Sequence, residues 1–232
     1  KGEMRGSIGE IWARKGLVVF QFFLSVIAIV SVIVIYQQIK FVQTQNLGYQ
    51  KENLVQFPRE GSLWKENNLE TFLSEVRRTP GVVSAASIGH GLLGQNNNTS
   101  GLQWPGKNPD DRILFENVGT NYQTLETMGV TFVEGRGFTE GNMADTAKIV
   151  FNEAAIEVMG LKDPIGQHIR LWDQYDLEIV GVVKDFHFQS SHEPVKPLFF
   201  RFQPSNTWNL LVRLEPGKEK QTLDKLSDFY KE

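Results

Sequence analysis

An uncharged apolar stretch at residues 16–39 constrains this chain more than any other feature of its sequence. The part from Leu17 to Tyr36 supplies about 20 residues, enough for a helix to cross the ~30 Å hydrocarbon core of a bilayer. A cleaved signal sequence has a shorter apolar region of about 7 to 15 residues, followed by small residues at the cleavage site. The sequence therefore predicts a retained transmembrane helix whose span ends are Leu17 and Tyr36.

The basic residues around this stretch predict its orientation. Lysine and arginine are more frequent before the span than after it: Lys1, Arg5, Arg14 and Lys15 precede it, and Lys40 and Lys51 follow. Basic residues accumulate on the cytoplasmic side of membrane proteins. We therefore expect a cytoplasmic N-terminus and an extracytoplasmic position for everything after the span.

Three segments follow from this pattern. Residues 1–15 carry apolar side chains on one helical face, which indicates a cytoplasmic interfacial lead-in helix, although a disordered linker fits equally well. Residues 16–46 form the transmembrane helix and a stalk, because the apolar face continues beyond the span until Asn46 and Gly48 provide a stop signal. Residues 47–232 form a water-soluble domain.

Alternating strand and helix patterns in the soluble part predict an α+β fold. Strands are expected at 53–57, 82–88, 113–118, 130–133, 148–151, 167–172, 177–183, 198–202 and 209–214, and helices at 64–78, 122–128, 152–159 and after 217. A Gly- and Asn-rich loop separates two of the strands, at residues 89–101. The whole chain is thus an N-terminal transmembrane and stalk helix followed by a mixed α/β domain.

One polar cluster has the residue types of a metal site. Asp185, His187, His192 and Glu193 could together hold zinc, but a strand end with a hydrogen-bonding polar face explains them as well. Residues 101–108 resemble a phosphate-binding loop, yet Asn108 replaces the hydroxyl residue that holds Mg²⁺. We expect no catalytic residues, no bound metal and no cofactor.

Partner binding is the remaining possibility for the polar loop. A formal net charge of −3 and the lack of a basic run argue against nucleic acid as a partner. Loops on rigid scaffolds commonly carry recognition, so Asn96, Asn97 and Asn98 are candidates for a partner contact.

Several segments, in order along the chain, resemble one known family. They are Arg14-Lys-Gly-Leu-Val-Val-Phe-Gln-Phe22 at the start of the span, Asn46-Leu-Gly-Tyr49 at the end of the stalk, Glu134-Gly-Arg-Gly-Phe138, Asn152-Glu-Ala-Ala155 with Asp163-Pro-Ile-Gly166, and Gly181-Val-Val-Lys-Asp-Phe-His-Phe188. Together they are similar to MacB/FtsX-type ABC transporter permeases, with their MacB-like periplasmic core domain.

This resemblance implies a porter-like periplasmic domain above a bacterial inner membrane. It also implies a cytoplasmic ABC ATPase as partner, a second permease copy or half, contact with membrane lipid, and a periplasmic adaptor or outer-membrane partner. Members work by mechanotransmission and handle peptides, lipoproteins, lipids or antibiotics. Because members have at least four spans, we expect this chain to be a fragment with the first span and most of the periplasmic domain.

Two other functions are compatible with the sequence. A single-pass sensor with an extracytoplasmic ligand-binding domain would also have one span and one soluble domain. A membrane-anchored enzyme would depend on the cluster at Asp185 and His187. The permease interpretation is preferred because the motifs occur in order over nearly the whole chain.

Overall fold

The chain divides into two compact units, residues 1–46 and residues 47–232. The computed structural model describes residues 8–44, 48–65, 68–91, 97–186 and 194–231. Each unit is described by itself below.

The described part of the first unit is one long helix, α1, at Ile8–Thr44. Its central part, Ile11–Phe41, is 31 residues long and apolar enough to cross a membrane, with a mean hydropathy of 2.9. The hydroxyls of Ser25 and Ser31 donate to carbonyl oxygens one turn earlier, so these polar groups are satisfied within the helix. The predicted long apolar helix is confirmed, and it begins at Ile8, inside the segment that the sequence analysis treats as a separate lead-in.

The second unit contains eleven strands and four helices among its described residues. The strands are β1 (Leu54–Pro58), β2 (Val82–Ile88), β3 (Asn98–Thr99), β4 (Leu102–Gln103), β5 (Phe115–Thr120), β6 (Phe132–Gly135), β7 (Lys148–Asn152), β8 (His168–Leu171), β9 (Tyr175–Val183), β10 (Leu198–Phe202) and β11 (Asn209–Leu214). The helices are α2 (Asn68–Arg78), α3 (Thr124–Met128), α4 (Glu153–Met159) and α5 (Glu219–Lys231). Short 3₁₀ turns lie at Gly61–Trp64, Met143–Ala147 and Pro204–Asn206.

These strands form one mixed sheet in the order β1-β11-β2-β5-β10-β7-β9-β8-β4, with β3 beside β5 and β6 beside β9. Strands β10 and β5 are parallel, as are β7 and β9, while the other pairs are antiparallel. The sheet is narrowest between β2 and β5, whose register consists of Ile88 opposite Thr120. It therefore has two halves, β1-β11-β2 and the strands from β5 to β4, which meet at the ends of β2 and β5.

Three clusters of buried apolar side chains stabilise the two halves of the sheet. One lies under α2 and α5 on the first half, one fills the second half around β7, β8 and β9, and one lies between them. Strand β10 is buried along its whole length, which explains its nearly uninterrupted apolar sequence, because a strand covered on both faces loses the usual alternation.

The predicted α+β class is confirmed, with local differences. Strands β2, β10 and β11 have the predicted bounds, whereas β5 begins two residues later than expected. The predicted helix at 64–78 is a 3₁₀ turn followed by α2, because Lys65 is extended. Strands β3 and β4 lie at the end of the predicted Gly- and Asn-rich loop; at two residues each, they are too short to produce a period-2 pattern.

Candidate functional site

Asp185, from the predicted metal cluster, lies at the N-terminus of helix α4. One of its carboxylate oxygens accepts a hydrogen bond from the Ala154 amide at 2.9 Å, and its own amide donates to Glu153 Oε2 at 3.2 Å. A carboxylate here satisfies a free helix N–H and interacts favourably with the helix dipole. His187, His192 and Glu193 lie outside the described residues. Within the described ranges no cluster of His, Asp and Glu could hold a metal ion.

The predicted partner-contact loop is partly integrated into the sheet. The Asn97 carbonyl accepts from the Asn117 amide at 2.7 Å, and Asn98 lies in β3 opposite Glu116. Both asparagine residues are exposed, so they remain candidates for a partner contact. Asn96 lies outside the described residues.

Lys107, in the segment that resembles a phosphate-binding loop, is already engaged. Its Nζ donates to the Leu102 carbonyl at 2.6 Å and lies 4.9 Å from the centre of the Trp104 ring. The segment is therefore a local turn that its lysine stabilises.

The first residues of the domain are fixed in its core. Tyr49 is buried and packs edge-on against Phe186, with ring centres 6.4 Å apart, and Phe186 stacks on Phe200 at 5.9 Å. The Gln50 amide donates to the Met128 carbonyl at 3.1 Å. The chain that follows helix α1 in sequence is thus tied directly to the central cluster.

Arg213 on β11 strengthens the same region. Its guanidinium donates to three backbone carbonyls: those of Thr127 at 2.7 and 2.9 Å, Glu52 at 2.9 Å and Gln50 at 2.7 Å. It joins β11, the end of α3 and the start of the domain. Burial lowers the pKa of Arg213.

A cavity of about 520 Å³ opens where the two halves of the sheet meet. Its lining comes from four separate segments: Arg59, Trp64, Lys65, Leu69 and Glu70 after β1 and in α2, Asn121 and Tyr122 after β5, Met143, and Phe202, Pro204 and Ser205 at the end of β10. This volume lies in the range of about 300–1,000 Å³ that is typical of small-molecule sites.

Arg59 is the central charged group of this cavity wall. It is only 7% exposed; its Nε donates to the Leu63 carbonyl at 3.0 Å and its Nη1 to the Pro204 and Thr207 carbonyls at 3.2 and 3.0 Å. The guanidinium lies 4.6 Å from the centre of the Trp64 ring. Arg59 therefore fixes the 3₁₀ turn after β1 to the loop after β10.

Aromatic and amide groups also line the cavity. Tyr122 stacks on Phe202 with ring centres 4.0 Å apart, and burial, followed by the carboxylates of Asp145, Glu70 and Glu140, raises the pKa of the Tyr122 phenol. Asn121 is 1% exposed; its Oδ1 accepts from the Ser87 amide and the Thr124 hydroxyl, but its Nδ2 has no acceptor among the residues that the structure describes.

Sequence reasoning missed this cavity. Its residues are widely separated in the sequence and carry no motif. The available signal was the placement of polar residues directly after strands, Arg59 after β1 and Asn121 after β5, since strand ends often line sites.

The fold defines a class of membrane-attached protein, with one apolar helix followed by an extramembrane mixed α/β domain. The chain belongs to the family of MacB-like periplasmic core domains, whose model matches residues 18–227. It is thus a MacB-like periplasmic domain of an ABC transporter permease family.

The chain is also similar to solved structures. The chain is similar to the periplasmic region of MacB from Actinobacillus actinomycetemcomitans, with 14% identity over 82% of this chain and 89% of that chain and a TM-score of 0.51. It also matches the extracellular domain of a noncanonic ABC-type transporter, YknZ, from Gram-positive bacteria, with 14% identity over 73% and 88% of the two chains and a TM-score of 0.49. No curated protein matches the sequence.

Proposed function

We propose that this chain is part of the transmembrane subunit of an ABC transporter or mechanotransmission complex. In this proposal, a partner ATPase hydrolyses ATP in the cytoplasm and the extracytoplasmic domain changes shape in response. The observation that carries the proposal is the family match at residues 18–227, which begins inside helix α1 and continues to α5. The family resemblance favours export of a peptide, lipoprotein, lipid or antibiotic.

The proposed arrangement has a cytoplasmic lead-in at residues 1–15, a span and stalk at 16–46, and a periplasmic domain at 47–232. Arg14 and Lys15 before the apolar stretch support a cytoplasmic N-terminus in a bacterial inner membrane. A second permease copy or half, membrane lipid and a periplasmic adaptor or outer-membrane protein complete the proposed set of partners.

The packing at the start of the domain supports mechanical coupling. Tyr49 and Gln50 lie a few residues before β1, and both are bound to the core, one through Phe186 and the other through Met128. A displacement of the preceding segment would therefore reach the central cluster through packed groups and backbone hydrogen bonds. The narrow connection at Ile88 and Thr120 is where the two halves of the sheet can change their relative position most easily.

The proposal is tested by purifying the full-length protein that contains this chain from membranes in mild detergent. We expect a P-loop ATPase to co-purify in stoichiometric amount, with ATP hydrolysis that vanadate inhibits. A purification from cells that express the affinity tag on an unrelated membrane protein serves as control. If no ATPase co-purifies and no further span follows this chain, the protein is a single-pass sensor instead.

A further inference from the structure

The cavity between the two halves of the sheet contains hydrogen-bond donors without acceptors. Arg59 is 7% exposed; its Nη2 makes no hydrogen bond with any residue that the structure describes, and this nitrogen is not fully buried. Asn121 Nδ2 is buried and also has no acceptor. A buried donor without a partner, as Asn121 Nδ2 is, carries a free-energy penalty. A ligand that fits here must therefore supply acceptor atoms.

The charges around the cavity indicate that the acceptor is anionic. Arg59 and Lys65 line it, and neither has a carboxylate partner among the described residues. Glu70 also lines it and pairs with Arg77 at 2.7 Å. Arg59 and Lys65 thus supply the positive charge at the end of the cavity where α2 begins, whereas the carboxylates of Asp145, Glu70 and Glu140 act on Tyr122.

The rest of the lining is apolar and aromatic. Trp64, Leu69, Tyr122, Phe202 and Met143 cover most of the wall. Trp64 and Met143 are still 48% and 72% exposed, so apolar surface at the rim is available to a ligand. Apolar area removed from water contributes about 25 cal/mol per Å². A ligand with an apolar body would gain from this surface.

We propose that this cavity binds a carboxylate that carries an aromatic or branched aliphatic group. The carboxylate lies near Arg59, Lys65 and the Asn121 amide, and the apolar group lies against Trp64 and Tyr122. A free amphipathic acid and the C-terminus of a peptide with an apolar last residue share this chemistry. The inference goes beyond the proposed coupling to an ATPase and holds whether or not that coupling exists.

Binding at this position would have a structural consequence. Arg59 and Trp64 follow β1 in the first half of the sheet, whereas Asn121, Tyr122 and Phe202 belong to the second half. A ligand that contacts both sides stabilises the arrangement of the halves to which it binds better. Ligand binding would thus change the preferred arrangement of the whole domain.

The test measures binding of soluble probes to the full chain in nanodiscs of zwitterionic lipid by isothermal titration calorimetry. The probes are N-acetyl-L-phenylalanine, its neutral amide, and N-acetyl-Ala-Ala-Phe with a free carboxylate. We expect the acid to bind at least about tenfold more tightly than the amide, because charge-assisted hydrogen bonds are stronger than neutral ones. Equal affinities for the acid and the amide, or no binding of any probe at millimolar concentration, would overturn the proposal.

Two variants are made at lining residues that are exposed, Lys65 and Ser205, so that no buried side chain is changed. Lys65→Gln should weaken binding of the acid about fivefold and leave the affinity for the amide unchanged. Lys65→Arg should restore the affinity for the acid. Ser205→Glu places a negative charge at the cavity wall and should lower the affinity for the acid by a similar factor. A loss of affinity that is the same for the acid and the amide contradicts the assigned role of the charges.

The peptide distinguishes the two sources of the carboxylate. Tighter binding of N-acetyl-Ala-Ala-Phe than of N-acetyl-L-phenylalanine supports a peptide C-terminus, since the preceding residues then contribute contacts. Weaker binding supports a small free acid. Both results require that the affinity depend on Lys65.

Discussion

Substitution of Gly48 by alanine tests whether the start of the domain is clamped to its core. Gly48 has φ +81°, and a Cβ there would lie 2.6 Å from Phe186 Cβ and 2.8 Å from Phe186 Cα, with the Asp185 carbonyl closer still. The positive φ alone costs an alanine about 1–2 kcal/mol. Moving packed backbone to relieve the overlap adds about 1–3 kcal/mol. Gly48→Ala should therefore lower the free energy of unfolding by about 2–5 kcal/mol.

Gly217→Ala is the matched control for this prediction. Gly217 has the same φ of +81°, but no atom lies within 4 Å of the position that a Cβ would take. It should therefore lose only the conformational part, about 1–2 kcal/mol. The assay is urea unfolding of the full chain in nanodiscs, followed by tryptophan fluorescence and extrapolated linearly to water. If Gly48→Ala is no more destabilising than Gly217→Ala, the start of the domain is not clamped as described.

Two further substitutions test other buried groups. Arg213→Met removes the donors to the Thr127, Glu52 and Gln50 carbonyls and should lower the free energy of unfolding by about 3 kcal/mol. Arg213→Lys should recover part of this loss. A loss below about 1 kcal/mol in the same urea assay would show that these hydrogen bonds contribute little to stability. Burial raises the pKa of Glu116, and the charge of Lys196 opposes this shift. Above the ordinary pKa of 4.5, the folded state therefore retains the Glu116 proton to a higher pH than the unfolded state does. As a result, the free energy of unfolding falls as pH rises through this range. Glu116→Gln should reduce this fall between pH 5 and pH 8, and an unchanged pH dependence would contradict the assignment.

The sequence predicted the parts of the fold that local patterns determine. Strands β2, β10 and β11 have strong β-branched or aromatic runs between clear turn signals, and Asn152 and Gly160 cap α4 as their residue types indicate. The long apolar helix is equally evident, because an uncharged apolar stretch of about 20 residues is typical of a transmembrane helix.

Tertiary contacts determined what the sequence did not predict. Strands β3 and β4 form because the ends of a polar loop pair with β5 and β8, and a two-residue segment has no recognisable period. The hairpin between β8 and β9 is tighter than expected, with Leu171 opposite Tyr175, because Trp172 and Asp173 adopt positive φ. No composition signal indicates that conformation for a tryptophan.

The candidate site was the least predictable part. The sequence drew attention to Asp185 because carboxylate and imidazole groups follow one another there, yet the structure places its carboxylate at the N-terminus of α4. Arg59 and Asn121 are 62 residues apart in sequence by their numbers and meet only because β1 and β5 end at the same part of the sheet. A cavity of this kind becomes visible only after the strand order is known.

The central claim is that ATP hydrolysis changes the shape of this domain, and a distance across the narrow part of the sheet tests it most directly. This chain contains no cysteine, so spin labels can be attached at Val83→Cys on β2 and Val158→Cys on α4, both exposed positions on opposite halves. Pulsed electron paramagnetic resonance would measure the label distance in the full-length protein with its ATPase, with and without vanadate trapping. The account predicts that trapping shifts the distance distribution; identical distributions in the two states, with the ATPase shown to be trapped, would contradict it.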